Sequence, residues 1–174
     1  RMELWEAMGF PPPEHVRKLP QPNLRPCTPL KNPKAMDSLA NSIATFFSSA
    51  SQGRTDKDDL FTVASELTEN TYKHSAVNDG HYGVTCAQSW PNGNLAQIAF
   101  VDTGIGFRES LSENPDLSDR LSHENACDMA LEKGVSGKLG KGHSGFGLAL
   151  VSGLADLYNA NLIVLSQTEA VQNL

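Results

Sequence analysis

The sequence predicts an α+β fold: a two-layer α/β sandwich, with helices on one face of a mixed, mainly antiparallel sheet. Three observations carry this. Two segments, Met36–Ala50 and 58–75, repeat apolar residues at helical spacing. Two extended runs follow, around Tyr82–Ala87 and Leu95–Asp102, joined by the turn-forming Pro91-Asn92-Gly93-Asn94. A third helical stretch, Phe146–Tyr158, then leads through Asn159-Ala160-Asn161 into the apolar run Leu162–Leu165. Helices and hairpin strands in this order suit helices stacked on an antiparallel sheet rather than alternating β-α-β units.

Each element has its local reason. Residues 1–35 hold eight of the ten prolines, which excludes a continuous helix or a central strand, so this stretch reads as an arm or linker. Within it, Arg1–Phe10 suits a short helix with Met2, Leu4, Trp5 and Met8 on its apolar side. From residue 36 to 174 the chain reads as one domain. In the first helix Met36, Leu39, Ile43, Phe46 and Phe47 share a face, and Asn32 or Asp37 can cap it. Asp58 or Asp59 can cap the second, whose apolar sector is Leu60, Val63, Ala64 and Leu67; Asn78-Asp79-Gly80 ends it. Gly104 to about Ser122 is polar and loop-like, with room for a short helix. Glu124–Lys133 is helical in pattern, and Gly134 suits the position after its end. After Leu165 the chain reads SQTEAVQNL, and the closing strand is expected to be incomplete.

Composition excludes several classes. The 174 residues are 39% apolar and 20% charged, as in a globular protein, and no apolar run approaches the ~20 residues of a membrane span. The net charge is −6, with no basic block, which argues against nucleic acid and anionic membrane as partners. Three scattered cysteines, Cys27, Cys86 and Cys127, indicate a reducing, cytoplasmic setting rather than a disulfide framework. His123 and Cys127 have the spacing of a helical metal pair, but no second pair completes a site.

Chemistry concentrates in three places. On the helix 58–75, Glu66, Asn70 and Lys73 fall within roughly 60° of one another at ~100° per residue, giving a polar stripe that can line a cleft. His74 lies at the edge of the apolar sector, a structural histidine or a ligand contact. At the end of an apolar strand comes Asp102-Thr103-Gly104-Ile105-Gly106: a carboxylate able to accept from an exocyclic amine, then two glycines that let backbone approach a flat ring. Third, Gly140-Lys141-Gly142-His143-Ser144-Gly145-Phe146-Gly147-Leu148 runs straight into a helix, whose N-terminal amides favour an anion. Neither Gly137-Lys138 nor Gly140-Lys141 is followed by Ser or Thr, so this is no P-loop. Gly140-x-Gly142-x-x-Gly145 matches the dinucleotide fingerprint as a string, but it follows no buried strand and no acid stands ~20 residues on.

Taken together, SELTENTYKHS, FVDTGIGF and GKGHSGFGLAL resemble, in order, the N box and the two glycine boxes of the GHKL superfamily of Bergerat-fold ATPases and kinases. The resemblance covers about residues 36–166. It implies ATP and Mg2+ as cofactors. It implies that Asn70 holds the magnesium ion, that Glu66 is a general base, and that Asp102 binds adenine. Gly104 and Gly106 would line the base. Gly142, Gly145 and Gly147, with the amides about Lys141, His143, Ser144, Phe146 and Leu148, would hold the phosphates. Lys73 and His74 would lie near phosphate or ribose. Residues 107–141 would form the mobile ATP lid.

Among the branches, the chain most resembles stand-alone ATP-binding proteins of anti-sigma, serine-kinase type. Glu66 stands four residues before Asn70, and no helical hairpin carries an acceptor histidine. His15 has a proline five residues on but lies among prolines. The expected function is a regulatory protein kinase acting on an anti-sigma-antagonist or sigma-like partner, with homodimerisation open. The alternatives are an ATP-driven conformational switch, a histidine-kinase catalytic domain, and a non-catalytic nucleotide-dependent interaction module.

Overall fold

The computed structural model describes residues 23–74, 82–90, 92, 95–138 and 145–173. The expected helix at 1–10, the turns at 78–80 and 91–94 (Asn92 apart), His15 and the loop 139–144 lie outside them. The chain divides into two compact units, residues 1–104 and 105–174.

In the first unit, strand β1 (Leu24–Leu30) leads through a short 3-10 turn at Pro33–Ala35 into helix α1 (Met36–Ala50). Helix α2 (Lys57–His74) and the strands β2 (Gly83–Trp90) and β3 (Leu95–Asp102) follow. The sheet is antiparallel, in the order β1-β2-β3. Asn32 accepts from the Lys34 amide at 3.0 Å and so caps the turn before α1. Asp56, rather than Asp58 or Asp59, accepts from the Asp58 amide at 2.7 Å at the start of α2.

Register places Thr85 opposite Phe100 and Ala87 opposite Ile98, so these four side chains share one sheet face. Both helices cover that face: Ala40 and Ile43 of α1 and Ala64 of α2 are buried against Phe47, Phe61, Ile98 and Phe100. The buried stripe of α2 is Ala64, Thr68 and Thr71; of the expected set Leu60, Val63, Ala64 and Leu67, only Ala64 is buried and the other three stay half-buried. Threonine can be buried here because its hydroxyl returns to its own helix: Thr68 donates to the Ala64 carbonyl at 2.6 Å and Thr71 to that of Leu67 at 3.0 Å.

Strand β1 lies inside the proline-rich segment read as an arm. It is an edge strand, where the missing amides of Pro26 and Pro29 cost few ladder bonds, and its register slips between Arg25 and Thr28. Leu24 and Leu30 are buried at its two ends.

The second unit opens with α3 (Phe107–Ser112), a 3-10 turn at Pro115–Leu117, α4 (Ser118–Leu121) and α5 (Ala126–Leu131). Their core is Leu111, Leu117, Leu121, Ala126 and Met129, with Phe107 and Val135 packed on it. Helix α6 (Gly147–Leu157) leads into the antiparallel hairpin β4 (Leu162–Ser166) and β5 (Glu169–Asn173). A strand not read from the sequence, β5, follows Leu165 and pairs with β4 through the turn at Gln167-Thr168. Sequence missed it because Glu169-Ala-Val-Gln-Asn carries little apolar signal of its own.

Arg108 organises this unit. Its guanidinium holds the Glu169 carboxylate through Nε to Oε2 at 2.9 Å and a second arm, and also donates to the carbonyls of Leu121 and Glu124. Glu169 in turn accepts from the Ala126 amide at 2.9 Å, at the start of α5.

Candidate functional site

The predicted constellation divides between the units. In the first, α2 carries Glu66 and Asn70 one turn apart, both half-buried. Lys73 is exposed and held by Glu69 at 2.7 Å, an i,i+4 ion pair on the open face of the helix. His74 is the last helical residue.

Strand β3 delivers Asp102 as an exposed carboxylate, and the Gly104 amide donates to its Oδ1 at 2.7 Å. That bond makes a tight turn and fixes the carboxylate's orientation, while its other lone pairs can still accept. Gly104 packs against the end of α2: a methyl group on it would stand 2.7 Å from the His74 carbonyl oxygen. His74, Asp102 and Gly104 are thus brought together.

Two supporting residues escaped the sequence reading. Gly83 pairs with Asp102, and a Cβ on it would run into the Val101 carbonyl and meet the Thr71 methyl at 3.0 Å. Thr71 is buried where α2 crosses this end of the sheet. A glycine opening a strand is itself a signal of close backbone approach.

In the second unit, Gly106 precedes α3, and the hairpin clamps this start. Ser166 Oγ accepts from the Phe107 amide at 2.9 Å, and Gln167 donates to the Ile105 carbonyl at 2.9 Å. The glycine loop is closed at its base, where the Gly134 amide donates to the Gly145 carbonyl at 2.9 Å. Gly145 has φ +68°, a conformation that suits glycine. Phe146 is exposed, with Lys133 Nζ 5.3 Å from its ring centroid. Gly147 and Leu148 open α6, whose N-terminus has no side-chain cap and no acidic residue in its first turn. The leading amides of a helix are donors of the kind an anion uses. Lys141, Gly142, His143 and Ser144 lie outside the described residues.

The segment 107–138, most of the expected lid, is ordered by the Arg108 contacts and by Arg120, which pairs with both Glu124 and Glu132. Arg120 holds the Glu124 carboxyl below the usual carboxylate range. Of the His123–Cys127 pair, Cys127 is fully buried while His123 is exposed, and among the described residues no group of three His, Cys, Asp or Glu is placed to hold a metal ion. A cleft of about 590 Å3 opens elsewhere in the first unit, lined by Arg25, Asn41, Thr45, Phe46 and Ser49 among others, with no predicted site residue in it. Thr45 and Ser49 donate to carbonyls of their own helix, so this is ordinary helix surface.

The first unit holds a carboxylate in a strand-end turn beside a Glu–Asn stripe on the neighbouring helix, and the second holds a helix whose start has no side-chain cap among the described residues. The family model of the histidine kinase-, DNA gyrase B- and HSP90-like ATPases matches residues 55–172, more than half of the chain. The chain belongs to this ATPase family. No curated protein and no solved structure matches it.

The match begins just before α2 and ends within β5, so it takes in every predicted site residue. As a member of this GHKL family the chain carries an ATP-binding domain. The oriented Asp102 carboxylate is an acceptor of the kind an exocyclic amine needs. Among the described residues no helix is long and apolar enough to cross a membrane.

Proposed function

We propose that this ATPase-family domain is an Mg-ATP-dependent protein kinase of anti-sigma type, acting on a protein partner of the anti-sigma-antagonist or sigma-like class. The observation that carries it is the placement of Glu66 one turn before Asn70 on α2, with the C-terminal end of the same helix packed against the Asp102 turn. One helix then serves both chemistry and base recognition. Asp102 would accept from the adenine amine. Asn70 would offer its amide oxygen to Mg2+, which neutralises phosphate charge and orients the γ-phosphoryl for in-line transfer. The amides leading α6 would hold phosphate oxygens. Glu66 would accept the proton of a partner hydroxyl or a water as that oxygen attacks.

A second reading, ATP binding as a conformational switch, draws on α3–α5, which share a core of Leu111, Leu117, Leu121, Ala126 and Met129 and would be the part a bound nucleotide shifts.

The test is calorimetric titration with ATP and Mg2+ on the wild type and on Asp102→Asn. We expect binding in the wild type and at least a tenfold loss in the variant, since the amide puts a donor where an acceptor is needed. Equal binding by the two would remove Asp102 from base recognition. Phosphate release without any partner would favour the switch over the kinase.

A further inference from the structure

Two cysteines that are remote in sequence meet in the sheet. On β1, Arg25 stands opposite Ala87 and Thr28 opposite Thr85, so Pro26 and Cys27 together face the single residue Cys86 of β2. This two-against-one arrangement is a β-bulge. The two thiols are close enough to influence one another's protonation. Both are partly exposed and both are free thiols. A bulge keeps its two residues beside the one they face on the neighbouring strand, and a disulfide needs α carbons roughly 4.4–6.8 Å apart.

We propose that Cys27 and Cys86 are a reversible disulfide site that closes when the chain meets a small-molecule disulfide. The Cys86 thiolate, its proton released to solvent, attacks one sulfur of the reagent RSSR. A mixed disulfide forms and RS− leaves. Cys27 then loses its proton and attacks the Cys86 sulfur, forming the Cys27–Cys86 bond and expelling the second RS−. The pair gives up two electrons and two protons, and the reagent becomes two RSH.

The bond has a structural consequence. β1 is anchored by buried Leu24 and Leu30 at its ends, but its middle holds the bulge and two residues without amide hydrogens. The bulge is the weakest part of its pairing with β2, and the disulfide staples that point. Burial pushes the Cys27 thiol up to about 12, helped by the neighbouring Cys86, and burial raises Cys86 as well. Thiolate is therefore scarce at neutral pH, and the pair closes slowly.

The experiment equilibrates the reduced chain with oxidised glutathione, quenches by alkylation and maps peptides by mass spectrometry. We expect a Cys27–Cys86 cross-link without bound glutathione. Its thermal midpoint should lie roughly 5–10 °C above that of the reduced chain and fall back with reductant. Cys27→Ser should instead hold glutathione on Cys86, although the wild-type map decides the matter without any variant. A wild type that ends as a glutathione adduct, that links either cysteine to Cys127, or that stays reduced while its urea-unfolded form oxidises, would overturn the proposal.

Discussion

The α carbon of Gly104 abuts the last carbonyl of α2: a methyl group there would stand 2.7 Å from the His74 oxygen and 2.8 Å from Asp102 Oδ1. Helix end and strand-end turn are thus in direct contact, with no side chain between them. Any side chain at position 104 must push α2 away or unseat the carboxylate.

Gly104→Ala is therefore expected to lower ATP affinity at least tenfold while leaving the far-ultraviolet circular dichroism unchanged. Titration calorimetry reads the first and spectroscopy the second. Wild-type affinity in this variant would mean that the contact between His74 and Gly104 does not set the position of Asp102.

Gly83→Ala tests the other side of the same corner and should act on stability first. Its Cβ would collide with the Val101 carbonyl and lie 3.0 Å from both the Asp102 α carbon and the Thr71 methyl. Backbone cannot yield as a side chain can, so we expect a loss on the order of 1–3 kcal/mol in urea unfolding. Thr71→Ser, which removes the methyl, should recover part of that loss in the double variant. No recovery would place the strain wholly in the sheet.

Glu66→Ala should separate binding from chemistry. The side chain is half-buried on the face shared with Asn70, and its removal leaves Asp102 and the start of α6 untouched. We expect ATP affinity within a few fold of wild type and turnover lowered by about a hundredfold or more. Undiminished turnover would dismiss Glu66 as the base.

Local signals made some of this readable from sequence. Leu95–Asp102 announced itself by an apolar run ending in a carboxylate, and Met36–Ala50 by its period. The three motifs named the family because they recur in a fixed order. What stayed hidden depends on distant partners. β1 was masked by prolines that only an edge position makes tolerable. α3–α5 are too short to be stable alone and are held by Arg108, whose acceptor Glu169 lies 61 residues on. The approach of Cys27 to Cys86 follows from a register that no local pattern encodes. Lys73 shares the Glu66 stripe on a helical wheel, but Glu69 one turn back satisfies it first.

Ser65 offers a test of unsatisfied polarity. Its Oγ is buried and has no hydrogen-bond partner among the described residues. A desolvated hydroxyl without a partner costs free energy, and alanine is the better helix former. Ser65→Ala should therefore be neutral or stabilise by up to about 1 kcal/mol, read from the urea midpoint. A clear loss would show that the hydroxyl is bonded in solution.

Arg108→Ala should change how the protein responds to acid. The Arg108 guanidinium, with help from the Ala126 amide, holds the Glu169 carboxyl below the usual glutamate range. A carboxylate with a depressed folded-state pKa contributes stability that is present above its unfolded value. That stability is lost as pH falls through the folded one. The wild type should therefore exceed Arg108→Ala most in thermal midpoint at neutral pH, and the gap should narrow as pH falls from about 5 toward 3. It should not close, because Arg108 also donates to the carbonyls of Leu121 and Glu124, which do not titrate. Glu169→Gln keeps the acceptor but removes the charge, so its midpoint should respond less to pH over that range. Thermal melts at several pH values, at fixed ionic strength, decide it. A gap that is constant with pH would mean that Arg108 stabilises α3–α5 through the carbonyls alone, and that its pairing with Glu169 contributes nothing to the acid response.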